Sequence, residues 1–189
     1  MNRRGSTLVE LLVASGLALL VLGLLTSAIG EGGRLLAAVS ARGQAEDTVH
    51  GALEALVFDV RRAGYSPAGV AVDPLSEART DRITLQADLD GNGAVDTSSE
   101  EVTAYVCALA TGRLSRLIGR QSLPLAEGIT ACAFRYLDAA GGAIAVPAAG
   151  LDASARSRVR TIGLDLTLTP SRGISPAARS MTVALRSRP

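Results

Sequence analysis

MNRRGSTLVELLVASGLALLVLGLLTSAIG, residues 1–30, decides how the rest of the chain is read. No charged side chain lies between Leu11 and Ile29, and a helix of that length covers the hydrocarbon core of a bilayer. Arg3 and Arg4 stand just before it. Positive flanks stay on the cytoplasmic side, so whatever follows is expected outside the cytoplasm. Glu10 is the discordant residue, because a carboxylate at the head of an apolar span is costly to insert and calls for a partner.

Three readings of this N-terminus compete. A secretory signal peptide would be removed, with Thr26-Ser27-Ala28 as its small-residue cleavage site. An ordinary anchor would stay uncleaved. Neither gives Glu10 a role. Cleavage after Gly5 does: Ser6 then supplies a new α-amino cation, and Glu10 becomes the fifth residue of the mature chain. The amine of one subunit can be neutralised by Glu10 of its neighbour inside an apolar bundle. Gly16, Gly23 and Gly30 recur every seven residues, which sets small residues on one helical face for close helix–helix approach. The plainer account is scattered glycines in an Ala- and Gly-rich chain.

The short basic leader, Gly5 and the following Thr7-Leu8-Val9-Glu10-Leu11-Leu12 resemble the class III signal of type IV pilins and pseudopilins. That resemblance implies a prepilin peptidase that cleaves between Gly5 and Ser6 and methylates the Ser6 amine. It also implies subunits, other pilins and minor pilins, packed by their N-terminal helices into a filament grown from an inner-membrane assembly platform. The precursor would sit in the inner membrane with its head in the periplasm, and the mature subunit in an extracellular filament. One departure is that no proline precedes Pro67, whereas many major pilins carry a helix-kinking proline in this segment.

Beyond Gly30-Glu31-Gly32-Gly33, where the helix is expected to loosen or bend, a helical period resumes. Leu35, Leu36, Val39, Val49, Leu53, Leu56, Val57 and Val60 recur at i+3 and i+4 steps. Arg61 and Arg62 suit the last turn, Gly64 the C′ position, and Pro67 prevents continuation. The expected organisation is a leader at 1–5, a membrane or filament-core helix at 6–30, an amphipathic continuation at 31–64 and a β-rich head at 65–189. The helix as a whole, from Ser6 to Ala63, would run roughly 85 Å. His50 reads as a helix-surface or packing residue, since no Ser or Asp constellation lies near it in sequence.

The head shows the two-residue period of antiparallel strands. Ile83 and Leu85 alternate with Thr84 and Gln86, and Val102, Ala104 and Val106 with Thr103 and Tyr105. Ile162, Leu164, Leu166 and Leu168 alternate with Gly163, Asp165 and Thr167, and Met181, Val183 and Leu185 repeat the pattern. Ala139–Ser157 reads as a long Gly/Ala-rich loop. The fold class is therefore α+β, a long helix packed on an antiparallel sheet. Phe58-Asp59-Val60-Arg61-Arg62-Ala63-Gly64-Tyr65 looks like the helix end of PilW-type minor pilins. The outline of a hairpin after Ile83, a strand over Ile129–Leu137 and a closing strand near Met181–Arg186 is similar to those proteins and also to the J-type minor pseudopilin of type II secretion.

Composition narrows the function. Aromatics are 3% of the chain and Trp is absent, so no stacking platform for bases is evident. All 19 basic residues are arginine and the net charge is +1, which rules out steering by the chain as a whole. Locally, Asp88, Asp90, Asp96, Glu100 and Glu101 fall between Arg82 and Arg113 with no base among them, while arginine dominates from Arg113 onward. That basic half leaves open a binding module for DNA or an anionic surface polymer. No nucleophile–base pair, phosphate-cradling glycine loop or metal-hydrolase motif points to an enzyme. Two cysteines and one histidine cannot make a structural zinc site.

Cys107 and Cys132 are expected to form a disulfide, being an even pair in strand candidates of a head facing an oxidising compartment. The other reading is two small buried thiols. The loop Asp88-Leu89-Asp90-Gly91-Asn92-Gly93-Ala94-Val95-Asp96 resembles an EF-hand loop in its oxygen spacing. Calcium held by Asp88, Asp90, Asn92, Asp96 and Glu100 is the expectation drawn from it. The twelfth position is Ser99, so Glu100 or Glu101 would have to substitute for the bidentate Glu with altered geometry. The competing reading is a polar hairpin turn in which Gly91 and Gly93 supply positive φ.

Overall fold

The computed structural model describes residues 8–168 and 176–186, with side chains described throughout except at 28, 30–35, 38, 41 and 177. The leader, including Gly5 and Ser6, lies outside the described residues. Helix α1 runs Leu8–Arg62. It carries through 30–33 as helix, so the glycines there do not end it. Two compact units divide the chain, 1–41 and 42–189.

In the first unit Leu8–Ser27 is long and apolar enough to cross a membrane, and none of it is buried within the protein. Of the apolar stripe expected from Leu35 onward, Leu36 and Val39 are exposed and Val49, Leu53, Leu56 and Val60 are buried.

In the second unit the rest of α1 presents Val49, Ala52, Leu53, Leu56, Val60 and Ala63 to the core. These positions are spaced by three and four, one face of a 3.6-residue period. The helix ends at Gly64, whose φ of 76° is the left-handed conformation that lets the chain turn. The Gly64 N–H then donates to the Gln86 carbonyl at 2.7 Å, tying the helix end to a strand.

The head has two antiparallel sheets rather than one. The first is a meander of β1 (Leu75–Ala78), β2 (Arg82–Gln86), β3 (Val102–Ala108), β4 (Arg113–Ile118) and β5 (Gln121–Glu127). The second joins β6 (Ile129–Leu137), β7 (Thr161–Leu168) and β8 (Ala177–Ala184). The β1–β2 turn links them: the Phe134 N–H donates to the Thr80 carbonyl at 2.8 Å, and the Tyr136 hydroxyl to the Arg79 carbonyl at 2.7 Å. Side chains from α1 and both sheets form one continuous core.

Two expectations need correction. On β3 Thr103, Ala104, Tyr105 and Cys107 are all buried, while Val102 and Val106 are half-buried. The strand buries the Thr103–Tyr105–Cys107 face most fully, not the Val102–Val106 face: Tyr105 has more surface to bury than Val, and its hydroxyl finds a partner on α1. The Ala139–Ser157 segment is also not all loop. It contains a short helix α2 (Ala153–Arg158), started by the Asp152 carboxylate accepting the Ala155 N–H at 2.7 Å.

Candidate functional site

The N-terminal segment brings one acid into a surface of Leu and Val. Glu10 lies in the first turn of α1, where a negative charge suits the positive end of the helix dipole. Its neighbours Leu8, Val9, Leu11 and Leu12 are all exposed. Twenty residues of helix, Leu8–Ser27, rise about 30 Å, the thickness of a bilayer's hydrocarbon core. His50 sits on the solvent face, as expected, with Nε2 3.1 Å from Glu54 Oε1 and both side chains exposed.

The acidic loop between β2 and β3 is built around two buried carboxylates. Asp88 accepts from the Ser66 hydroxyl at 2.7 Å and from the N–H groups of Gly91 and Gly93 at 2.8 and 3.2 Å. Glu101 accepts from the N–H groups of Leu89, Asp90 and Asp96 at 2.7, 3.2 and 2.8 Å. Gly91 and Gly93 adopt φ of 77° and 81°, which turns those N–H groups inward. These donors hold both carboxyls below the ordinary range. For Asp88 the Ser66 hydroxyl leads, and for Glu101 the Asp96 N–H leads; burial opposes the shift in each. Asp96 is lowered too, first by the Ser98 N–H.

The expected ligand set changes in one member and loosens in others. Asp88, Asp90 and Glu101 each offer a carboxylate oxygen within 4.8 Å of the others. Glu100 is not in this group; it is exposed, and its carbonyl accepts from Arg62 at 3.3 Å. Strand parity explains the exchange: Glu101 shares the inward face of Thr103 and Tyr105, and Glu100 takes the other. Asn92 turns its amide to Asp90 at 2.9 Å and its oxygen to the Ala94 N–H at 2.8 Å. Asp96 caps Ser98, accepting its N–H at 2.8 Å. The polar-turn reading is thus met in detail, and an all-oxygen cluster is also the donor type a hard cation takes.

Cys107 on β3 and Cys132 on β6 are disulfide-bonded, with Cα atoms 5.9 Å apart. The bond therefore joins the two sheets. Asp59 was not singled out from the sequence. It is 2% exposed on α1, and Arg116 of β4 clasps it through Nε and Nη2 at 2.7 and 2.8 Å. The Tyr105 hydroxyl donates to the same carboxylate at 2.6 Å. Burial first, then the Asp59 charge, pushes the Tyr105 phenol up, keeping it a neutral donor. An acid on an otherwise apolar helix face was the available signal; its partners, 46 and 57 residues away, were not visible.

No family model matches this chain, and no curated protein matches it.

Proposed function

We propose that this protein is a minor pilin or pseudopilin: a structural and assembly subunit of a type IV pilus-like filament, working at its priming end or tip. The observation that carries the reading is Glu10. It lies four residues after Ser6, at the head of a membrane-length helix whose Leu and Val side chains find no cover within the protein. Lipid covers such a helix in the precursor, and neighbouring helices cover it in a filament. The head, an amphipathic helix half packed on antiparallel strands, is compatible with a pilin-like fold. The proposed partners are other pilins, the prepilin peptidase and an inner-membrane assembly platform. The proposed sites are the inner membrane, with the head in the periplasm, and then the extracellular filament.

The alternative of a DNA- or polymer-binding module draws less support. Arg113, Arg116 and Arg135 of the basic half are each engaged with a carboxylate, Glu127, Asp59 and Asp165 respectively.

Intact mass and N-terminal sequencing of the native protein test the proposal. The expected mature chain begins at methylated Ser6. A chain beginning near Ile29 would mean an ordinary signal peptide, and an intact Met1 an ordinary anchor. Glu10→Ala should leave cleavage in place and reduce incorporation into filaments.

A further inference from the structure

The chain has two Phe and three Tyr. Tyr105, Phe134 and Tyr136 are fully buried, whereas Phe58 is 63% and Tyr65 54% exposed. The two exposed rings are not scattered: both line one cleft of about 840 Å³ where α1 ends, together with Leu89, Arg61, Arg62 and Arg186. With so few aromatics, leaving two side by side in water forfeits burial that the core could have used. Such patches mark interaction sites.

The walls of the cleft are held in place. The Tyr65 carbonyl accepts the Asp88 N–H at 2.8 Å, and the Ser66 hydroxyl is bound by Asp88. Arg62 lies over the Phe58 ring, its guanidinium carbon 5.5 Å from the centroid, and is already engaged by Asp59. Arg61 and Arg186 have no carboxylate partner among the described residues. The cleft therefore offers two guanidinium groups that have no carboxylate partner among the described residues, beside two rings and a leucine. Arginine with Tyr and other aromatics is the composition of interface anchor points.

The charge decides the occupant. The Arg61 and Arg186 cations call for carboxylates, and the rings call for an apolar side chain beside them. A polyanion long enough to run past the cleft fits poorly, because Leu89 of the cleft lining belongs to the acidic loop, whose exposed Asp90, Asp96 and Glu100 would repel phosphates continuing beyond the cleft. We infer that this cleft is a docking site for a short acidic segment of a partner protein, one that alternates carboxylate with apolar side chains. The inference stands independently of the filament reading.

The test uses the full chain in detergent micelles and fluorescence anisotropy of a labelled ten-residue peptide alternating Glu with Leu and Phe. The same peptide with Gln for Glu and a thymidine oligonucleotide are run beside it. The Glu peptide should bind at least tenfold tighter than the Gln peptide. Arg61→Glu with Arg186→Glu should remove that preference, as should Phe58→Ser with Tyr65→Ser. Arg120→Glu, an exposed charge control at the β4–β5 turn, should not. Equal binding of the Glu and Gln peptides, no binding of the Glu peptide at millimolar concentration, or unaffected binding by the Arg61/Arg186 variant would overturn the inference. Preference for the oligonucleotide would replace it with a nucleic-acid site. Self-association in sedimentation that the Arg61/Arg186 variant abolishes would replace it with a second copy of this chain.

Discussion

Arg116→Met removes the guanidinium that closes the ion pair with Asp59, and it should be one of the most costly single changes in the head. The Asp59 side chain is 1% exposed and that of Arg116 19%. Methionine keeps much of arginine's aliphatic stem, so packing changes little and the charge is what is lost. Asp59 is then left with the Tyr105 hydroxyl at 2.6 Å and Arg62 at 3.5 Å. Breaking a buried pair from one side costs about 3–5 kcal/mol. Because those two donors remain, the lower end is expected, about 3 kcal/mol, or a melting temperature lower by roughly 6–12 °C. Asp59→Asn on the Arg116→Met background keeps an acceptor for Tyr105 and removes the stranded charge. That double variant should recover at least about 1 kcal/mol. Urea unfolding of the full chain in micelles, followed by circular dichroism, measures all three. A loss below about 1 kcal/mol for Arg116→Met, or a double variant weaker than the single, would refute the reasoning.

Free-thiol titration of the denatured, unreduced protein should find no thiols. Cys107→Ala with Cys132→Ala should cost about 3 kcal/mol, the loop-closure entropy for a crosslink spanning 25 residues. The Asp88 and Glu101 carboxyls are lowered in the folded state, so the stability they contribute is present above their unfolded pKa values and lost as pH falls through the folded ones. Hydrogen exchange at the Leu89, Asp90 and Asp96 amides, corrected for intrinsic rates, should therefore accelerate below about pH 4. Glu101→Gln should flatten that pH dependence, while Glu100→Gln should leave it intact. Calcium at millimolar concentration should raise the melting temperature relative to EDTA, and Asp90→Ala should remove the rise. Superimposed curves would leave the N–H donors as the whole account of the loop.

Much of this architecture is legible in the chain because it depends on local pattern. The apolar run from Leu11 to Ile29, the cap at Gly64 and the strand over Ile129–Leu137 are readable from residues a few positions apart; the structure keeps the cap and the strand at their expected places and gives Leu8–Ser27 as the membrane-length stretch. The Cys107–Cys132 pairing was also legible, since two cysteines admit one intramolecular bond. Which face of β3 turns inward was not, because alternation supplies two faces and only packing against α1 selects the one carrying Tyr105. The same selection put Glu101 rather than Glu100 beside Asp88 and Asp90. The Asp59–Arg116–Tyr105 cluster and the Phe58–Tyr65–Arg186 cleft join residues far apart in sequence. Short-range periodicity carries the elements, whereas contacts between distant segments are set by how helix and sheets close on one another. That closure placed a buried charge beside Arg116 and Tyr105 and left two aromatic rings facing water.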